Sequence, residues 1–230
     1  MITLVPLASV DPTAVEMLLD AAFGPDRFTR TAYTIRGGAK PVAALSFAAV
    51  KDGVLVGSIQ CWPIALAGDD RMFPLVMLGP VAVAPDHQGD GIGRRLMAHA
   101  LDAAAGEGLD TALMLIGDPD YYGRFFGFSA ERTARWNAPG PVERHRLLAH
   151  HLAVAALAVE RQHSSDVEVD LDRRVRRQPF LEHRVHIARH HADAVRVVAA
   201  EVGQHEVGSD LVGFFAAAAG RYENRSYLRL

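Results

Sequence analysis

Residues 78–97 read Leu-Gly-Pro-Val-Ala-Val-Ala-Pro-Asp-His-Gln-Gly-Asp-Gly-Ile-Gly-Arg-Arg-Leu-Met, and the glycines at 89, 91 and 93 lie where a β-rich run gives way to a helical one. Glycine there lets successive backbone N–H groups converge with no Cβ in the way, and a helix N-terminus adds positive potential. The chemistry this suggests is anion binding, and a pyrophosphate fits it. Arg94 and Arg95 set fixed charge beside the turn. The P-loop pattern is absent, because no Lys-Ser or Lys-Thr follows a glycine. The dinucleotide pattern GxGxxG fails as well: counted from Gly89 or Gly91, its third glycine is replaced by Arg94 or Leu96. On the glycines alone two readings stand, an anion cradle and a turn that only caps a helix.

The elements that must position this turn follow from periodicity. Asp11 and Pro12 open a helix through Phe23, with Val15, Leu18, Leu19 and Ala22 on one face, and Gly24-Pro25 ends it. A second short helix is expected over Phe28–Ile35, stopped by Gly37-Gly38. Ala44–Val50 and Val54–Ile64 are β-rich runs joined by Lys51-Asp52-Gly53, a hairpin signal. Phe73–Ala84 is a third run, a helix follows the glycine turn through Ala105, and Thr111–Ile116 reads as a buried strand. A helical crossover joins a parallel pair, so a mixed α/β sheet is expected.

Gln88-Gly-Asp-Gly-Ile-Gly93 fits Q/R-x-x-G-x-G/A, after the cadence Leu-Gly-Pro-Val-Ala-Val-Ala-Pro and ahead of Tyr121-Tyr-Gly-Arg-Phe-Phe-Gly-Phe128. Together these motifs resemble the GNAT acyltransferase superfamily, especially its small bacterial members of unassigned substrate, over residues 1–150. The resemblance implies a mixed, mostly antiparallel sheet with one parallel, splayed strand pair, flanked by helices. It implies acetyl-CoA as co-substrate, with the pantetheine arm on the strand that holds Leu78, Val81, Ala82 and Val83. The pyrophosphate would lie on Gln88, Gly89, Asp90, Gly91, Ile92, Gly93, Arg94 and Arg95. An amine of a small molecule or protein would attack the thioester directly in a ternary complex, with the amide of Val81 or a neighbour polarising the carbonyl. A tyrosine would protonate the departing thiolate, since a phenol stays protonated at neutral pH. Tyr122 takes that role, with Tyr121 as the alternative; here the sequence departs from the family, whose tyrosine stands four residues before the glycine of the closing Gly-Phe, whereas Tyr122 stands five before Gly127. Asp118, Asp86 and His87 are candidates for the general base, and Asp118-Pro119 is equally a turn initiator. Phe28, Tyr33, Arg36 and Trp136 would line the acceptor pocket. A non-catalytic acyl-CoA-binding or sensor module of the same fold, and an unrelated phosphate-binding α/β protein, are the competing readings.

Composition narrows the rest. The chain has 230 residues, half of them apolar, with 24 basic and 27 acidic side chains and a net charge of −3. That balance offers no footprint for a long polyanion, so nucleic acid is not expected as the ligand. No apolar run nears the ~18 residues of a membrane span, the N-terminus lacks a basic n-region, and a cytoplasmic protein is expected. Cys61 is alone, which excludes a disulfide framework and a multi-cysteine metal site, and no metal is expected. Cys61 is read as a buried structural thiol. Composition shifts near residue 150: all six methionines, both tryptophans and eleven of twelve prolines precede it, and seven of eleven histidines follow. Residues 1–150 are therefore read as the acyltransferase domain and 151–230 as a C-terminal extension. The extension offers an exposed strand over 165–172 and an amphipathic helix over 182–202. His186 and His190 stand four apart there, but no HExxH surrounds them and a solvated face is the reading preferred. A dimerisation or lid element, a degenerate second domain and a frame-shifted extension all remain open for it, as does homodimerisation.

Overall fold

The structure, a computed structural model, describes residues 1–68, 72–109, 113–150 and 228–229. Six strands run in chain order across one sheet: β1 (Ile2–Pro6), β2 (Phe47–Lys51), β3 (Val54–Ala67), β4 (Met72–Val83), β5 (Leu113–Ile116) and β6 (Leu147–Ala149). Neighbours on that path are antiparallel except β4 and β5, which pair in parallel. The β2–β3 hairpin turns on Asp52 (φ +51°) and Gly53 (φ +83°), two left-handed residues as a two-residue type I′ turn requires.

Among the described residues, four helices flank the sheet: α1 (Pro12–Phe23), α2 (Thr31–Arg36), α3 (Ile92–Gly106) and α4 (Pro119–Phe126). The Asp11 carboxylate caps α1 by accepting from the Thr13 amide at 2.9 Å, with Pro12 at its first position. Side chains alternate across a strand, so Gly57, Val81 and Val83 share one face of the sheet and Ser58 and Ala82 the other. α1 buries Val15, Leu18 and Leu19 in a cluster with Ala82 on one face. α3 lies on the opposite face, where a Cβ on Gly57 would stand 2.7 Å from Ile92 Cγ2 and 3.1 Å from Leu96 Cδ1. Gly57 thus sets how closely α3 seats against the sheet, and α3 carries the glycine turn at its start.

Several boundaries differ from the sequence reading. The stretch 43–45 is one turn of 3-10 helix, and β2 begins at Phe47. The helix expected over Phe28–Ile35 is two pieces, a 3-10 segment Pro25–Thr29 and then α2, separated by an extended Arg30. Tertiary bonds hold that break: Arg30 Nη2 donates to the Phe23 carbonyl at 2.9 Å, and the Thr31 hydroxyl to the Pro141 carbonyl at 2.5 Å. Strands β1 and β6 carried no signal in the periodicity. The strand and helix expected over 165–172 and 182–202, with His186 and His190, lie outside the described residues. Among the described residues, no helix is long and apolar enough to cross a membrane.

A seventh strand, β7 (Leu228–Arg229), pairs in parallel with β3 through Leu66↔Leu228. Leu228 is fully buried in the cluster of Ile35, Ile64, Leu66, Met77, Met114, Trp136 and Leu147. Arg229 exchanges backbone hydrogen bonds with Asn137 at 2.6 and 2.9 Å. Leu228→Ala is therefore expected to lower the unfolding free energy by about 2–5 kcal/mol, the range for a buried Leu→Ala. A denaturant midpoint indistinguishable from the wild type would show that the C-terminal residues do not belong to this core.

Candidate functional site

Among the described residues, strands β4 and β5 pair at Val76↔Leu113 and Met77↔Met114 and then part. Opposite, Ile59 pairs with Val81 and Cys61 with Leu78, so β4 carries one extra residue at Gly79-Pro80, a bulge. Gly79 has φ +111°, a conformation that a side chain disfavours, and its bond to Pro80 is cis. A bulge bends its strand and breaks the ladder. The result is a cleft of about 790 Å³ that Met77, Leu78, Gly79, Pro80 and Val81 wall on one side and Ile116, Gly117 and Asp118 on the other. Arg27, Arg30, Tyr33 and Arg36 from the α1–α2 region and Glu143 and Arg146 from the segment before β6 close its outer part.

Helix α4 delivers the tyrosine. Asp118 caps it, its carboxylate accepting from the Asp120 amide at 2.9 Å, and Pro119 occupies the first position. Tyr122 lines the cleft and Tyr121 does not. Tyr121 packs instead on Phe125, 5.2 Å between ring centroids, and edge-on against Tyr122 at 5.0 Å. The Tyr122 ring lies so close to Gly117 that a Cβ there would collide with it. Gly117 therefore positions the phenol, and sequence reasoning missed it; a glycine directly before the Asp-Pro helix start was the available signal. Burial, with a smaller contribution from Tyr121, pushes the Tyr122 hydroxyl up to about 12.

Asp118 holds two positions at once, on the cleft wall and at the helix cap. Removing its oxygen in Asp118→Ala is expected to cost about 1 kcal/mol of stability, whereas Asp118→Asn, an equally good cap, is expected to cost almost nothing. Chemical denaturation of both variants checks this, and equal losses would mean that the cap is not what the carboxylate supplies. Asp86 is exposed in a one-turn 3-10 helix, Pro85–His87, and is not among the cleft residues. His87 Nδ1 lies 3.1 Å from Asp90 Oδ2, which ties the imidazole to the glycine turn.

The turn itself is built for close approach. Gly89 (φ +96°) and Gly91 (φ +74°) are left-handed, Gly91 precedes α3, and no side chain caps that helix. The first N–H groups of a helix have no intrahelical acceptor, so those of Ile92, Gly93 and Arg94 are left for another partner. A Cβ on Gly89 would meet no atom within 4 Å. A Cβ on Gly93 would lie 3.6 Å from both Val81 Cγ1 and Val83 Cγ2, so the turn packs directly on the end of β4.

The other sequence-predicted residues fall out as follows. Gln88, Gly89 and Asp90 are exposed in the turn, and Ile92 is buried, so only its backbone faces a ligand. Ala82 is fully buried toward α1 and likewise offers backbone alone. Arg94 is exposed, with its guanidinium 5.4 Å from the Phe125 ring centroid. Arg95 reaches the other way and donates to the Ile2 carbonyl at 3.2 Å. Of the expected acceptor-pocket residues, Tyr33 and Arg36 line the cleft. Trp136 is a core residue, and Phe28 stands outside the cleft, 58% exposed, beneath the Arg27 guanidinium. Cys61 is fully buried, donates to the Leu45 carbonyl at 3.0 Å, and has its thiol pKa raised by burial, all consistent with a structural thiol.

Arg27 was not anticipated from sequence. It is 2% exposed and donates to Glu16 at 2.5 Å, to Asp20 at 2.8 Å and to the Tyr33 hydroxyl at 2.6 Å. This network pins α1 to α2 along the outer cleft.

Comparison with known proteins agrees with this geometry. Over 150 residues the chain is 28% identical to the uncharacterized N-acetyltransferase YhbS of Escherichia coli K12, which spans 64% of this chain and 86% of that protein. The crystal structure of Escherichia coli YhbS in complex with CoA has a TM-score of 0.51 at 24% identity, covering 69% of this chain and 84% of that one, so the two share a fold. The sequence model of the acetyltransferase (GNAT) family matches residues 14–128, half of the chain. With the split parallel pair, the bulged fourth strand and the glycine turn in place, this chain belongs to the acetyltransferase (GNAT) family.

Proposed function

We propose that this chain is an N-acetyltransferase that moves the acetyl group of acetyl-CoA to an amine by direct attack in a ternary complex. One observation carries the reading: the glycine turn packs on the end of β4, and that strand and Tyr122 wall a single cleft. This supports a reading in which the glycine turn, the β4 edge and the phenol serve one bound molecule. Acetyl-CoA supplies the activated thioester carbonyl.

The residues then have definite tasks. Turn amides from Gly89 to Arg94 hold the pyrophosphate, in a setting where a helix N-terminus favours negative charge. Backbone N–H groups along the bulged edge of β4, that of Val81 or a neighbour, donate to the thioester oxygen as charge builds on it. The amine nitrogen forms a bond to the acetyl carbon while the carbon–sulfur bond breaks. The Tyr122 hydroxyl gives its proton to the sulfur, and the proton lost from nitrogen leaves through Asp118 or water and restores the phenol. The net products are an N-acetyl amine and free CoA thiol. Because Tyr122 is held protonated by burial, its proton is available at any physiological pH.

Calorimetry with CoA, followed by thiol release from acetyl-CoA across an amine panel, tests the proposal. Binding together with amine-dependent release is the expected result. No heat at millimolar CoA would sink it. Binding without acceleration by any amine would favour a sensor of the same fold.

A further inference from the structure

Two buried arginines border the cleft, and the fold treats them differently. Arg27 is matched by Glu16, Asp20 and the Tyr33 hydroxyl. Arg36, the last residue of α2, is 7% exposed, and among the described residues no carboxylate forms an ion pair with it. Its guanidinium is stacked instead between two rings, 3.5 Å from the Tyr33 centroid and 4.3 Å from the Trp62 centroid. Among the described residues its buried Nη2 meets no hydrogen-bond acceptor.

A buried cation without a counter-ion is costly, because the low-dielectric surroundings remove hydration and return nothing for it. Aromatic faces recover part of that cost, but they accept no hydrogen bond from the planar fork of N–H donors. That fork matches a carboxylate or phosphate. Arg30 and Arg146 also line the cleft, beside two acids, Asp118, which also caps α4, and Glu143, which lies 3.4 Å from His145.

Resting on the acetyltransferase reading, we propose that the acceptor is an amine that carries a carboxylate or phosphate in the same molecule, and that Arg36 binds that oxyanion. The anion anchors in the outer cleft and aims the amine inward at the β4–β5 split. A purely cationic amine lacks this anchor.

Matched acceptors test the idea: β-alanine against β-alaninamide, and O-phosphoethanolamine against ethanolamine, each with saturating acetyl-CoA and the full chain. The anionic member of at least one pair is expected to show kcat/KM about tenfold or more above its neutral partner, the value of one charge-assisted contact. The pair that discriminates identifies carboxylate or phosphate. Arg36→Met should erase the preference through KM and leave acetyl-CoA affinity unchanged, and Arg36→Lys should restore part of it. Neutral members that react equally well in the wild type, or a preference that survives Arg36→Met, would overturn the proposal. A second arm works without turnover. The melting temperature of the CoA complex is measured with propionate or inorganic phosphate against chloride at equal ionic strength. A rise in the wild type that Arg36→Met (or Arg36→Lys, should the former not fold) reduces supports the anion site. No rise with either anion overturns it. Silence in every turnover assay together with a positive anion arm would count against acetyl transfer and leave the Arg36 site standing.

Discussion

Tyr122→Phe is expected to lower kcat by about 10²–10⁴-fold, the range for removing a positioned general acid, with little change in the KM for acetyl-CoA. The ring stays, so its packing against Gly117 and Tyr121 is kept and only the hydroxyl is lost. Tyr121→Phe is the control, because that side chain stacks on Phe125 and does not line the cleft. It should behave like the wild type. The pH profile supplies an independent check. An ordinary phenol is half ionised at pH about 10 and would lose its function as an acid there. Burial raises Tyr122 to about 12, so its protonated form persists and kcat should not fall between pH 8 and 10. Full activity in Tyr122→Phe would remove the phenol from the mechanism, and an alkaline limb centred near 10 in the wild type would mean that burial does not raise its pKa.

The second large effect falls on the glycine turn. Gly89→Val and Gly91→Val should each raise the CoA dissociation constant at least tenfold, about 1.4 kcal/mol or more. Both residues are left-handed, at φ +96° and φ +74°, where a β-branched side chain is strongly disfavoured. At Gly89 there is a further reason. No protein atom lies within 4 Å of where a Cβ would stand, so the added side chain enters the space from which the amides face a ligand. Acceptor chemistry, held by other elements, should change much less when CoA is saturating. Calorimetry separates the two. Unchanged CoA affinity in both variants would mean that the turn only caps α3, the reading that the glycines alone leave open.

The contrast between these two sites shows what kind of information each needed. The turn is local. Three glycines, the strand before them and the helix after them are contiguous in the chain, and their backbone demands are written in residue type and spacing. The Asp11-Pro12 start of α1 and the Asp52-Gly53 hairpin were legible for the same reason, because a cap or a type I′ turn is satisfied within a few residues. The break between Pro25–Thr29 and α2 was not, since the bonds that hold it come from Phe23 and from Pro141. Strand β6 is three residues long, and β1 is built from five residues with no clean alternation, so neither had a period to detect.

The amino-acid sequence by itself determined the class of chemistry and the parallel pair, through a glycine turn between strand and helix and an ordered set of three motifs. Which tyrosine faces the cleft was decided in three dimensions, by the rotation of α4 and by the absence of a side chain at Gly117. The fates of the two buried arginines were decided there too. Arg27 finds carboxylates on α1, and Arg36, among the described residues, stacks between the rings of Tyr33 and Trp62 with no carboxylate in an ion pair. Leu228 closes the core beside β3 although more than 150 residues separate it from Leu66 along the chain. The physical reason is common to all three. Periodicity and turn chemistry report what a residue asks of its neighbours in sequence, whereas burial, charge pairing and cleft geometry depend on partners that only packing brings within reach.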